Sequence, residues 1–144
     1  MAKLIAYVDS SVLLRVVLEQ QNPLIEWDAI DVGVVSALVP LEVTRTLERL
    51  WLQRELSESE MHAKAAAAGE MLNRMIVLEL DQRVIDVASQ SFPKPLATLD
   101  ALHLASALLY RQAQQDDESA IVLTTHDRQL AEVARSLDLH VLGA

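Results

Sequence analysis

Cysteine is absent from the 144 residues. Disulfides, thiolate nucleophiles and Cys-based zinc sites are thereby excluded, and a reducing compartment, the cytoplasm, is the expected location. Glycine is nearly as scarce. Gly33, Gly69 and Gly143 are the whole supply, and their spacing builds no phosphate-cradling loop, which removes the nucleotide-cofactor reading. Long apolar runs are missing too: Leu4–Val8 stops at Asp9, and Val12–Leu18 is broken by Arg15. Neither serves as a secretory h-region or a membrane span. Basic residues are outnumbered, 12 Lys and Arg against 21 Asp and Glu, for a formal net charge of -9. An evenly acidic surface repels phosphate backbones, so a nucleic-acid role requires local basic patches or bound cations.

What remains is an apolar chain, 51% hydrophobic, long enough for one domain over residues 1–144 with a proper core. Short apolar runs alternate with helical patterns. Strands are expected at 3–8, 32–35, 76–80, 120–123 and 139–142, and helices at 10–20, 37–54, 57–74, 82–91, 100–114 and 127–137. Ser57-Glu58-Ser59-Glu60 is a capping-box pattern opening the third helix. In that helix Met61, Ala65, Ala68, Leu72 and Met75 form an apolar stripe, and the small residues Ala65–Gly69 permit close approach of a neighbour. With the helix before it, it is expected to form an arm-like hairpin. Phe92-Pro93-Lys94-Pro95 reads as a stiff connector and Gln114–Ser119 as a polar loop. Strands alternating with helices imply an α/β fold, a parallel sheet covered on both faces.

In such sheets ligands bind beyond the carboxyl ends of the strands, where the strand order reverses. Asp9 directly follows the first strand, and Asp127 closes Thr124-Thr125-His126-Asp127 after the fourth. Asp100 lies at the start of a helix and Glu42 in the first turns of another. Acids from four distant segments thus map to one end of the sheet, whereas Asp116, Asp117 and Glu118 belong to the opposite edge. Each has an ordinary alternative. Asp9 and Asp127 suit N-caps, Asp100 complements a helix dipole, and Glu42 pairs with Arg45. His103, one turn after Asp100, suits a packed or hydrogen-bonded helix residue. Together, however, clustered carboxylates repel one another unless a cation sits among them, and oxygen donors suit Mg2+ or Mn2+ rather than zinc. Metal-assisted phosphodiester hydrolysis is the chemistry that follows.

The segments AYVDSSVLL (6–14), SALVPLEVTRTL (36–47), TLDALHLASAL (98–108) and VLTTHDRQLAEVA (122–134) together resemble the PIN-domain ribonucleases, above all the VapC-type toxins of toxin–antitoxin pairs. The resemblance implies a three-layer α/β/α fold with sheet order 3-2-1-4-5 and Mg2+- or Mn2+-dependent endoribonuclease activity. It further implies inhibition by a cognate antitoxin, a homodimer, and partner contacts through the helical hairpin. Asp9, Glu42, Asp100 and Asp127 match the family's acidic metal-binding positions. Ser10, Thr124 or Thr125 match its supporting polar residues, and His103 is expected to orient Asp100 or line the pocket. Arg15, Arg45, Arg49 and Arg128 are the nearest candidates for phosphate contacts. A PIN-like or receiver-like metal-binding regulatory or scaffolding module without nuclease activity is the alternative. A receiver, however, needs a lysine near the end of its last strand, and the final lysine here is Lys94.

Overall fold

The computed structural model describes residues 3–114 and 120–144. Its elements run β1 (Leu4–Val8), α1 (Ser10–Val17), β2 (Val32–Ser36), α2 (Leu38–Leu52), α3 (Glu58–Leu72), β3 (Ile76–Leu78), α4 (Gln82–Ala88), α5 (Thr98–Ala113), β4 (Ala120–Thr124), α6 (Arg128–Ser136) and β5 (His140–Leu142). A 3-10 turn at Trp27–Ala29 precedes β2 and has no counterpart in the sequence reading. The expected polar loop lies, beyond Gln114, outside the described residues.

The five strands are parallel in the order β3-β2-β1-β4-β5. The chain winds outward from β1 through β2 to β3, then returns to the far side of β1 to lay down β4 and β5. Strand order therefore reverses between β1 and β4. Their register pairs Val8 with Thr124, and the Asp9 N–H donates to the Thr124 carbonyl at 3.0 Å, carrying the ladder one residue further.

Alternation along the central strands divides the core in two. Ala6, Val8 and Val122 join α1, α2 and α3 through Val12, Leu13, Val39, Val43, Leu47 and Ala68. Ile5, Tyr7, Ile121 and Leu123 turn to the opposite face, against Leu104 and Ala107 of α5 and Leu130, Val133 and Ala134 of α6. Leu104, Leu123 and Leu130 are fully buried, each contributing roughly 1.5–3 kcal/mol of transfer free energy. That is the expected three-layer arrangement.

The helical pair is present, but α3 packs against α1 as well as α2, so it is not a free arm. Its capping box forms: the Glu60 N–H donates to the Ser57 hydroxyl at 3.0 Å and the Ser57 N–H to Glu60 Oε1 at 3.0 Å. The small-residue stretch acts at one point only. Ala68 is buried, Ala65 is exposed, and a Cβ on Gly69 would meet nothing within 4 Å.

Candidate metal centre

A helix that returns over a parallel sheet runs against the strands, so its N-terminus arrives at their carboxyl end. Asp9 precedes α1 and Asp127 precedes α6, each at the N-cap position. Glu42 lies in the second turn of α2. Asp100 sits in the first turn of α5, which opens at Thr98 after an Ala97 N-cap. The N-cap explanation holds for Asp127, whose Oδ1 accepts from the Leu130 N–H at 2.9 Å. It fails for Asp9, whose side chain makes no capping bond.

Asp9 is buried, 5% exposed, and one of its oxygens is occupied. Oδ2 accepts from the Ser11 hydroxyl at 2.7 Å and the Thr125 hydroxyl at 2.8 Å. Thr125 also accepts the Asp127 N–H at 3.0 Å, so one hydroxyl ties two of the acids together. Of the two serines Ser11 touches the acid, whereas Ser10, the expected one, is the first residue of α1. Of the two threonines Thr125 touches the acid. The Thr124 hydroxyl donates instead to the Tyr7 carbonyl at 3.1 Å and braces β4 against β1.

Glu42 does not pair with Arg45, which is bonded to Glu48 at 2.7 Å. Its Oε1 lies 2.7 Å from His103 Nε2, across the end of the sheet from α2 to α5. His103 is 1% exposed. Its Nδ1 lies 2.9 Å from the Tyr7 hydroxyl, and its Nε2 lies 3.7 Å from Asp9 Oδ1. Burial alone lowers the imidazole's pKa, but the bond to Glu42 and the charges of Asp9, Glu42 and Asp100 more than offset it and leave the group above its ordinary value. Burial pushes the Tyr7 hydroxyl far up, so it stays protonated. Tyr7 is a site residue that the sequence reading missed: inside the apolar run of β1 it is indistinguishable from core.

Asp100 is the least tethered acid. Its carboxyl is pushed up to about 6, first by partial burial, then by the charges of Asp127 and Asp9 and more weakly by Glu42, while His103 pulls the other way. Beyond burial, the like charges of Asp127 and Asp9 act on it because they lie at the same end of the sheet. Among the described residues, no three His, Asp or Glu side chains already form a set that could hold a metal ion. The acids share an end of the sheet and one another's fields without making a closed coordination set.

The donors nonetheless fit a hard divalent cation. All are oxygens, and Asp9, Glu42 and Asp127 each keep one oxygen pinned by the protein, leaving the other for monodentate contact. A small octahedral ion that retains several waters suits such an arrangement. His126 Nδ1 faces the Gly143 carbonyl at 3.0 Å.

The arginines are dispersed. Arg15 donates to the Asn22 carbonyl, Arg45 is paired with Glu48, Arg49 is exposed in the last turn of α2, and Arg128 is exposed at the start of α6. An open groove of about 700 Å³ lies elsewhere, lined by Val87, Leu108, Leu109, Arg111 and Leu137 and by none of the acids. Among the described residues no helix is long and apolar enough to cross a membrane.

The chain as a whole is similar to known proteins. Residues 6–136 match the PIN domain family. The chain is 30% identical to Ribonuclease VapC46 of Mycobacterium tuberculosis over 144 residues, covering 95% of each protein. Two solved structures superpose on nearly the whole chain. FitAB bound to an IR36 DNA fragment does so with a TM-score of 0.66 at 15% identity, covering 94% of this chain and 92% of that one. VapBC2 from Rickettsia felis, bound to a DNA fragment from its promoter, does so with a TM-score of 0.65 at 8% identity, covering 95% and 96%.

Proposed function

The chain belongs to the PIN-domain family, and from that premise we propose that it is a Mg2+- or Mn2+-dependent endoribonuclease, the toxin of a toxin–antitoxin pair. The observation carrying this reading is the linking of acids at the sheet's switch point: the Thr125 hydroxyl bonds both the Asp9 carboxylate and the Asp127 N–H, and His103 Nε2 lies 2.7 Å from Glu42 and 3.7 Å from Asp9. Asp9, Glu42, Asp100 and Asp127 would hold the metal. The bound ion would supply Lewis acidity toward an RNA phosphodiester and lower the pKa of water.

The chain's own residues set the stage. Ser11 and Thr125 hold the Asp9 carboxylate through Oδ2, with Oδ1 on the side of His103 Nε2 at 3.7 Å. Thr125 further holds the backbone of Asp127, so the two acids cannot drift apart. The positive end of α5 favours the ionised form of Asp100. A resident cation also offsets the net charge of -9 where substrate must approach.

The expected partners are RNA and a small cognate antitoxin, with a second copy of the chain completing a homodimer in the cytoplasm. Exposed Leu41, Trp51 and Leu52 on α2 give the hairpin apolar surface for such contacts. The relatives' names support this assignment: one is a ribonuclease and another a VapBC pair.

Purified protein is expected to cut RNA with Mg2+ or Mn2+, to stop in EDTA, and to lose activity as Asp9→Asn or Asp100→Asn. Variants that cleave as fast as the parent would refute the catalytic assignment. The absence of a closed ligand set among the described residues favours a second reading, a PIN-like binding module without catalysis. Metal-independent persistence of every binding activity, with no cleavage, would establish it.

A further inference from the structure

Two residues at the acidic end, Tyr7 and His103, are neither acids nor surface groups, and both are shut away from solvent. Their hydroxyl and imidazole stand in series, Tyr7 Oη to His103 Nδ1 at 2.9 Å and His103 Nε2 to Glu42 Oε1 at 2.7 Å. A carboxylate oxygen at that distance requires a proton on Nε2, since two lone pairs would repel. Tyr7 at Nδ1 then fixes the plane of the ring and, among the described residues, leaves Nε2–H the donor that reaches Glu42. The same Nε2 lies 3.7 Å from Asp9 Oδ1, so the ring is wedged between two acids that come from different layers. Metal-binding groups are commonly oriented by such outer partners.

We propose that Tyr7 and His103 form a positioning pair that holds Glu42, and through it the spacing to Asp9, in the orientation a divalent cation needs. This rests on the reading of the acidic end as a metal site. The residue contacting the ion is Glu42; His103 acts through it, and Tyr7 acts through His103. A bolt that merely fastened α2 to α5 would also place a bond there, but its loss would lower the melting temperature and leave the folded protein's metal affinity alone.

The test is Mn2+ binding to the full chain by titration calorimetry, with melting in EDTA as a control for folding. Tyr7→Phe, which deletes only a hydroxyl, is expected to weaken Mn2+ about tenfold, and His103→Ala by more. His103→Gln, which restores an N–H donor toward Glu42, is expected to recover most of the loss. If His103→Ala does not fold, Tyr7→Phe and His103→Gln decide. Mn2+ affinity of Tyr7→Phe within twofold of the parent would overturn the inference, as would His103→Gln no better than His103→Ala. Asp100→Asn separates the two levels of argument. A parent that takes up no Mn2+ sinks the metal reading and this inference with it. A parent that binds, fails as Asp100→Asn and is unaffected as Tyr7→Phe sinks the inference alone.

Discussion

Replacing Asp100 by asparagine is expected to stabilise the metal-free chain while abolishing its hold on a metal. The Asp100 carboxyl is displaced from 3.8 to about 6 by partial burial and by Asp127 and Asp9. Each pH unit of displacement corresponds to about 1.4 kcal/mol, so ionising the group in the fold costs at most roughly 3 kcal/mol. The carboxyl is half-buried, and solvent screening of its exposed part cuts this to about 1.5 kcal/mol. For a chain of this size that is a Tm rise of roughly 4 °C at pH 7.5 in EDTA. The sign fixes the pH dependence. Because the folded-state value lies above the unfolded one, this group's favourable contribution is complete below about pH 4 and is lost as pH rises through about 6. The variant's advantage is therefore expected to vanish at pH 4. Mn2+ reverses the ranking at pH 7.5: at about 100 times its Kd it adds roughly 2.7 kcal/mol to the parent and nothing to the variant. Scanning calorimetry of both chains, with EDTA and with Mn2+, checks all three statements. A variant that melts lower than the parent in EDTA, or by the same margin at pH 4 and pH 7.5, would refute the reasoning.

Other perturbations separate the site from its frame. Thr125→Val removes the hydroxyl that donates to Asp9 and accepts from the Asp127 N–H; a loss of about 1–3 kcal/mol by urea denaturation is expected, with weaker Mn2+ binding. Gly143→Ala forces a side chain onto φ +99°, with its Cβ 2.6 Å from the Thr125 carbonyl oxygen. It is expected to cost roughly 1–3 kcal/mol, and to weaken Mn2+ binding by shifting Thr125. Ser57→Ala removes the α3 cap and is expected to cost about 1 kcal/mol, with unchanged Mn2+ affinity and RNA cleavage; an altered affinity would mean that α3 reaches the acidic end.

Periodicity read the sheet well because its central strands β1, β2 and β4 are buried on both faces and all five stand as apolar runs between helices. The order of those strands came from the family resemblance, since parallel runs of similar composition carry no label of their neighbours. The helices α1, α2, α3 and α4 end two or three residues earlier than periodicity predicts, because the polar pattern continues past the last hydrogen-bonded turn. Asp9, Asp100 and Asp127 were legible as acids at strand and helix ends, a position with a rule behind it. Ser11 was not, because the choice between adjacent serines depends on the phase of a helix that begins there. The Glu42–His103 bond spans 61 residues and two layers, and Arg45 offered Glu42 a nearer partner. Tyr7 was hidden by its own strand, where an aromatic ring satisfies the apolar pattern whatever its hydroxyl does.

Of the sheet's five strands, the one that comes first in the chain becomes the middle. β1 waits for β2 on one edge and for β4 on the other, and Asp9 meets the Thr125 hydroxyl only after another 116 residues. At ordinary translation speed that delay is on the order of ten seconds. A nascent chain therefore carries Asp9 without the hydroxyl that orients it until those 116 residues have been added.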